Sequence, residues 1–160
     1  MQVTSLFHVA IKTRDLDATV KFYTEVLGME VAQRPDFGFP GAWLGIPGTP
    51  PIIHIYAGGP ALGPEGKVAY GTGALDHVSL MMRGWDECLQ RIEQRGFDWR
   101  AAVVPGMSLW QIFVYDPSGV MLELTFDGAV EQRPTPQLAP ERVYVPGKPF
   151  GPAQSRGIAA

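Results

Sequence analysis

Cysteine, charge and long apolar runs are all scarce in this sequence of 160 residues. The single cysteine, Cys88, excludes an intramolecular disulfide framework and suits a reducing compartment. The net charge is −3 and the lysines and arginines form no cluster, which argues against a nucleic-acid or membrane partner. No apolar run approaches the roughly 20 residues that cross a bilayer, and no basic segment precedes an apolar one as in a signal peptide. We therefore expect a cytoplasmic protein with neither a nucleic-acid nor a membrane partner.

The sequence repeats one plan twice. The side chains over 6–11 alternate between two distinguishable faces, as in a strand. Apolar residues then recur at helical spacing over 16–27, between Asp15, a candidate N-cap, and Gly28. Residues 75–80 and 85–95 repeat this strand and helix at an offset of 69 residues. Three β-prone stretches follow each helix. These stretches are 29–33, 42–46 and 52–57 in the first half, and 99–104, 109–115 and 120–126 in the second. We predict an α+β fold of two βαβββ modules, over 5–57 and 74–127, joined by a linker over 58–73 that is rich in glycine and proline.

Residues 128–160 differ from the modules in composition. Their prolines exclude a long helix or a central strand. One interpretation is a disordered or surface-wrapped extension. The other is an arm that covers a neighbouring subunit or the mouth of the site. The second stays open because Val143, Tyr144, Val145 and Phe150 give such an arm apolar side chains to bury.

The three histidines of the chain occupy equivalent positions of the repeat. His8 and His77 are one equivalent pair, and His54 plus the offset of 69 is Glu123. Each of these residues alone would more often be structural than functional, but one offset that matches all four indicates a real site. A carboxylate in the apolar strand around Glu123 is costly to bury unless it is paired or bound to a cation. Two imidazoles and a carboxylate bind Fe, Mn, Co, Ni or Zn ions, so the donor set alone does not identify the metal.

Four segments carry a family resemblance: Phe7–Ile11, Asp15–Gly28, Leu75–Val78 and Tyr115–Leu124. On these segments the chain resembles the vicinal oxygen chelate superfamily, which includes glyoxalase I, fosfomycin-resistance proteins, bleomycin-binding proteins and type I extradiol dioxygenases. The resemblance covers residues 5–127. It implies two βαβββ modules paired around a metal-bearing cleft, with His8, His77 and Glu123 as the metal ligands. Metal-using members hold two adjacent substrate oxygens on the ion.

His54 is the residue that distinguishes the possible reactions. Glyoxalase I-like members generally have a fourth ligand at its position, often glutamate, whereas ring-cleaving dioxygenases use a non-ligand histidine there as an acid/base. We predict an Fe(II)- or Mn(II)-dependent dioxygenase with a catechol-like or other vicinal-oxygen substrate, and with His54 and Tyr56 as catalytic residues. Against this prediction, Phe113 stands where dioxygenases commonly have a tyrosine, and the chain has two modules rather than four.

Two other functions are compatible with the same residues. The first is a redox-neutral lyase, isomerase or thiol transferase of the glyoxalase or fosfomycin-resistance kind, with Ni, Co or Zn as further candidate metals. The second is a non-catalytic binding protein of the bleomycin-resistance type. Aromatic side chains suited to a flat ligand are Phe37, Phe39, Trp43, Trp110 and Phe113. Two-module members of the superfamily are usually homodimers, so we also predict a homodimer.

Overall fold

The computed structural model describes residues 5–151, and each half of this range has the same order of elements. The boundary between the two units lies between Tyr70 and Gly71. The predicted α+β class and the βαβββ plan of both halves are confirmed. Within residues 5–151, no helix is both long and apolar enough to span a membrane.

The first unit contains four strands and one helix. The strands are β1 (Val9–Lys12), β2 (Glu30–Ala32), β3 (Gly41–Gly45) and β4 (Pro51–Tyr56), and the helix is α1 (Leu16–Lys21). The sheet order is β1-β4-β3-β2, with β1 parallel to β4 and the other pairs antiparallel. The first and last strands of the unit are therefore neighbours.

Helix α1 begins at the predicted N-cap, because Asp15 Oδ1 accepts a hydrogen bond from the backbone N–H of Ala18 at 2.9 Å. The helical pattern continues beyond α1 as a π-helical segment over Phe22–Val26, and Gly28, at φ +71°, follows it. Buried side chains of this segment and of one face of the sheet form the core of the unit. They include Phe22, Tyr23, Val26, Ile11, Leu44, Ile53 and Ile55. The opposite face of the sheet carries the two histidines.

The second unit repeats this topology. Its strands are β5 (Val78–Met82), β6 (Trp99–Val103), β7 (Leu109–Tyr115) and β8 (Met121–Asp127), and its helix is α2 (Trp85–Gln94). The sheet order is β5-β8-β7-β6, with β5 parallel to β8. The backbone N–H groups of Gly84 and Trp85, at the start of α2, donate to the carboxylate of Glu131. An acidic side chain is favourable there because it meets the positive end of the helix dipole.

The two strands that were predicted to contain His8 and His77 begin later than expected. Strand β1 begins at Val9 and β5 at Val78, so His8 and His77 each lie immediately before a strand rather than within it. In each unit the parallel pairing of the first strand with the last begins at the residue after the histidine, Val9 with Ile53 and Val78 with Leu122. The alternation of apolar residues begins before this pairing, which is why it placed both strands too early.

The segment after β8 packs on the second unit as far as the structure describes it. A 3₁₀ turn over Pro140–Arg142 leads to a parallel bridge between Val143 and Ala101 of β6, and the N–H of Tyr144 donates to the Ala101 carbonyl at 2.8 Å. Phe150 is 5% exposed and clusters with Phe113 and Met121. Residues 128–151 thus form a surface-wrapped strap on this unit. Pro152 and the remainder of the predicted extension lie outside the described residues.

Candidate functional site

The first unit brings His8 and His54 together in a stack of three parallel rings. The rings of His8 and His54 are 3.9 Å apart at 16°, and those of His54 and Trp43 are 4.4 Å apart at 14°. The sheet register explains the stack, because His54 of β4 pairs directly with Trp43 of β3 on one side and with Ala10 of β1 on the other. His8 lies two residues before Ala10 and therefore belongs to the same face.

Burial and charge both disfavour protonation in this stack. His54 is 7% exposed, and burial lowers its pKa, with further contributions from the positive charges of His8 and Arg34. The imidazole of His54 is therefore neutral near pH 7 and can accept a proton. The Nδ1 atom of His8 is buried, and within residues 5–151 it has no hydrogen-bond partner. An unsatisfied buried ring nitrogen suits a residue whose partner is an ion or a ligand.

Tyr56, predicted to be catalytic, lies two residues after His54 on β4 and so shares its face of the sheet. Its ring meets the ring of Phe39 edge-on at 5.4 Å. Phe37 and Phe39 come from the loop between β2 and β3, and Phe37 also contacts Trp43 at 5.9 Å. Three of the aromatic residues proposed for a flat ligand are therefore on the histidine side of the first sheet.

The second unit brings His77 and Glu123 together. His77 Nε2 lies 3.4 Å from Glu123 Oε2, and His77 Nδ1 lies 2.8 Å from Asp76 Oδ1. A carboxylate only accepts hydrogen bonds, so Nδ1 carries the hydrogen and the lone pair of a neutral His77 is on Nε2, toward Glu123. A carboxylate that fixes the ring nitrogen away from the metal is a common arrangement around metal-binding histidines.

Two hydroxyl groups hold the other oxygen of Glu123. Ser79 Oγ donates to Oε1 at 2.7 Å and Thr125 Oγ1 donates to the same atom at 2.9 Å. These bonds leave Oε2 directed toward His77 and fix the carboxylate within a largely apolar strand. Sequence reasoning did not assign roles to Ser79 and Thr125, although strand alternation already placed each on the face of a candidate ligand.

The strap over residues 128–151 covers part of this site face. The ring of Tyr144 stacks on Phe113 at 3.6 Å and 11°, and Phe113 is the cross-strand partner of Glu123 and meets His77 edge-on at 6.1 Å. Burial raises the pKa of Tyr144, and Asp76, Tyr115 and Glu123 raise it further, so its phenol stays protonated. Trp110 does not belong to this face, since it is buried against Trp85 in the core.

The four equivalent residues therefore occur as two pairs, one in each unit. His8 contacts His54, and His77 contacts Glu123. In each pair one residue immediately precedes the first strand of the unit and the other lies in the last strand. In the part of the chain that the structure describes, no three histidine, cysteine or acidic side chains form one metal-binding group. The roles assigned to His8, His54, Tyr56, His77 and Glu123 remain predictions.

Comparison with known proteins identifies the family. A family model described as the Glyoxalase/Bleomycin resistance protein/Dioxygenase superfamily matches residues 5–124. The chain belongs to this superfamily. Among its relatives is a protein named glyoxylase I 4 from Arabidopsis thaliana, 31% identical in an alignment of 131 positions that covers 78% of this chain and 71% of that protein. A lactoylglutathione lyase of Salmonella typhimurium is 32% identical in an alignment of 127 positions that covers 74% of this chain and 90% of the lyase.

Solved structures of the superfamily share the fold. A putative glyoxalase family protein from Bacillus anthracis has a TM-score of 0.62 at 19% identity, covering 79% of this chain and 98% of that one. A fosfomycin resistance protein from Listeria monocytogenes has a TM-score of 0.59 at 19% identity, covering 78% of this chain and 94% of that one. The named relatives of the superfamily favour the lyase alternative over the dioxygenase prediction.

Proposed function

We propose that this superfamily member is a divalent-metal-dependent lyase of the glyoxalase kind, acting on a small substrate with two adjacent oxygens. The observation that carries the proposal is the similarity, at 31–32% identity over about three-quarters of the chain, to proteins named as glyoxalase and lactoylglutathione lyase. The arrangement of the two residue pairs supplies its chemistry. The lyase therefore replaces the dioxygenase as the first candidate.

The donor atoms fit a metal ion. In the second unit His77 Nε2 and Glu123 Oε2 face each other, while Asp76 and the two hydroxyls occupy the atoms that would not coordinate. In the first unit His8 contributes a buried ring nitrogen without a partner. We propose His8, His77 and Glu123 as the ligands of a divalent ion. Such an ion, when bound, acts as a Lewis acid that stabilises negative charge on the substrate oxygens.

His54 is proposed as the residue that moves the proton. Its lowered pKa keeps the imidazole neutral, so one ring nitrogen can take a proton from a carbon next to a carbonyl and return it to the neighbouring carbon. Together with passage of the hydroxyl proton to the oxygen of the former carbonyl, this transfer converts a hemithioacetal into a thioester without any oxidant. The flat faces of His8 and Trp43 hold the His54 ring in one orientation, which fixes the direction of the transfer. Tyr56, on the same face, is proposed to contact the substrate.

The test is turnover of the hemithioacetal that methylglyoxal forms with glutathione. Protein loaded separately with Ni, Co, Zn, Mn or Fe(II) should form the thioester without oxygen uptake, and a chelator should abolish the reaction. A His54→Gln variant should keep its metal and lose most of its rate. Loss of the metal from this variant would instead make His54 a fourth ligand. Absence of turnover with every metal would contradict the lyase proposal.

The dioxygenase is the second candidate, because a neutral, stacked histidine at position 54 also suits an acid/base toward bound oxygen species. Anaerobic loading with Fe(II) followed by a panel of catechols, with oxygen uptake recorded, separates the two candidates. Uptake with a catechol and none with the hemithioacetal would favour the dioxygenase. We also propose a homodimer, for which light scattering should give twice the chain mass of 17.5 kDa.

A further inference from the structure

Arg34 is a partly buried arginine that the proposed chemistry does not use. It follows β2, in the loop that carries Phe37 and Phe39, and its guanidinium carbon lies 4.8 and 4.6 Å from the centres of those two rings. Among residues 5–151, neither Nε nor Nη2 has a hydrogen-bond partner, although both atoms are buried. Only Nη1 is engaged, through a long contact of 3.5 Å with the Pro35 carbonyl. Buried N–H donors without an acceptor are unfavourable, which indicates that a partner is missing.

The two unpaired atoms define the shape of that partner. Nε and Nη2 lie on the same side of the planar guanidinium, and their N–H bonds run parallel along one edge. This edge matches the two oxygens of a carboxylate, which accept two parallel hydrogen bonds at once. The engaged Nη1 lies on the other side of the group. The free donors therefore form one two-point site for a planar anion.

The surroundings keep this edge in place. Gly41 allows the guanidinium to lie against the sheet, since a Cβ at this position would clash with the Ile55 carbonyl oxygen and lie 3.3 Å from Nη2. Phe37 links the guanidinium to the ring stack, because it contacts both Arg34 and Trp43, and Trp43 stacks on His54. Phe37 is itself 51% exposed, so the cover of the site is an exposed loop rather than the core.

We propose that Arg34 binds the carboxylate of a small organic ligand through its Nε–Nη2 edge, beside the stack of His8, His54 and Trp43. The inference goes beyond the proposed lyase function, because it rests on the first unit alone and holds for any reaction at the stack. It assigns a negatively charged, planar group to the ligand. It also predicts that the arginine serves binding rather than folding.

The test compares matched substitutions in the full chain. Arg34→Met removes the charge and keeps the aliphatic stem, and Arg34→Lys keeps the charge but loses the two-point edge. Arg14→Met is the control, since Arg14 is an exposed arginine of the same unit whose guanidinium lies over Tyr70. The probes are pyruvate and benzoate, the methyl ester of each, and inorganic phosphate. Binding is followed by NMR shifts of the Trp43 indole and of the backbone amides of residues 31–45.

At least one carboxylate should produce saturable shifts in the wild type, while its ester should not. Arg34→Met should raise its Kd at least about ten-fold, Arg34→Lys should have an intermediate effect, and Arg14→Met none. Without ligand, the Tm of Arg34→Met should equal or exceed that of the wild type, since two buried donors without an acceptor are gone.

The proposal is overturned if neither carboxylate binds, if Arg34→Met binds as tightly as the wild type, or if phosphate binds as tightly as the carboxylate. A fall of several degrees in Tm with unchanged binding would make Arg34 structural. The hemithioacetal assay is read separately. Turnover without carboxylate binding removes this inference alone, and carboxylate binding without turnover removes the lyase proposal alone.

Discussion

The two units have the same topology but secure their candidate residues in different ways. In both sheets an aromatic residue of the third strand pairs with a candidate residue of the fourth, Trp43 with His54 and Phe113 with Glu123. In the first unit the aromatic ring stacks directly on the imidazole, and an arginine with two donors that have no acceptor among residues 5–151 lies nearby. In the second unit hydroxyls hold the carboxylate, and a tyrosine from the strap stacks on the aromatic ring.

This difference shows that the repeat fixes positions, whereas loops and the strap supply the environment. A carboxylate needs hydrogen-bond donors when it is taken from water, and Ser79 and Thr125 provide them. A histidine that must stay neutral needs burial and positive neighbours, and the first unit provides those instead. One fold thereby surrounds one pair with hydrogen-bond donors and the other with burial and positive charge.

Removal of the carboxylate from the second unit should have the largest effect. Glu123→Gln keeps the shape and a hydrogen-bond acceptor but loses the negative charge that a divalent ion requires. We expect metal content by elemental analysis to fall to background and hemithioacetal turnover to fall by about a thousand-fold or more. Full metal binding by Glu123→Gln would contradict its assignment as a ligand.

The reaction rate of the Cys88 thiol reports on opening of the second unit independently of the first. The thiol is 4% exposed on α2, and burial raises its pKa to about 12. At pH 8 the folded protein should react with iodoacetamide about a thousand-fold more slowly than an unfolded control, because the thiolate is the nucleophile. Mass spectrometry of the alkylated chain measures this rate. A rate near that of the denatured chain would show that the unit opens readily.

Packing of the strap should raise the free energy of unfolding through contacts that belong to the second unit alone. Phe150→Ala leaves a cavity against Phe113 and Met121, and we expect the free energy of unfolding to fall by about 3 kcal/mol. Phe37→Ala is the matched control in the first unit, where the half-exposed ring should cost less than about 1 kcal/mol. Urea titrations measure both values. Equal losses would mean that the strap is not part of the core of its unit.

Loss of a hydroxyl beside Glu123 should lower metal affinity less than loss of the carboxylate itself. Ser79→Ala removes the shorter of the two hydrogen bonds to Oε1, so the carboxylate becomes less well oriented. We expect metal affinity to fall about 10- to 100-fold, as is usual when a partner of a ligand is lost. Competition with a coloured chelator measures the change. Unchanged affinity would indicate that Thr125 alone is sufficient.

The smallest expected effect concerns the ion pairs that attach the strap. Asp98 binds Arg100 at 2.8 Å and Arg142 of the strap at 2.7 Å. Burial acts to raise the pKa of Asp98, but its bonds with Arg100, the backbone of Trp99 and Arg142 outweigh this and lower it. A lowered pKa stabilises the fold above the unfolded-state pKa, and the gain is lost as the pH falls through the folded-state value.

Asp98→Asn should therefore destabilise the protein by about 1 kcal/mol at pH 7, because the pairs are partly exposed, and by less at pH 3. Urea midpoints of the two proteins at each pH test the difference. A gap that widens on acidification would have the opposite sign and would contradict the role of the ion pairs.

Much of the fold could be predicted from the sequence because the repeat is encoded in local patterns. The offset of 69 residues matched His8 with His77 and His54 with Glu123, and local patterns predicted the strands that carry His54 and Glu123. The starts of β1 and β5 were placed too early because the alternation of apolar residues extends beyond the residues that pair with a neighbouring strand. The roles of Arg34 and Tyr144 depend on how a loop and the strap fold back, and no periodic pattern encodes such long-range packing.

The parallel pairing of first and last strands also determines when each candidate pair can form during synthesis. His8 meets His54 only after β4 has left the ribosome, and His77 meets Glu123 only after β8 has done so. Contacts so distant in sequence form slowly, and translation of the intervening residues takes seconds. The first pair can therefore assemble while the second unit is still being made. A nascent chain arrested once β4 has just left the ribosome should already contain the stacked histidines.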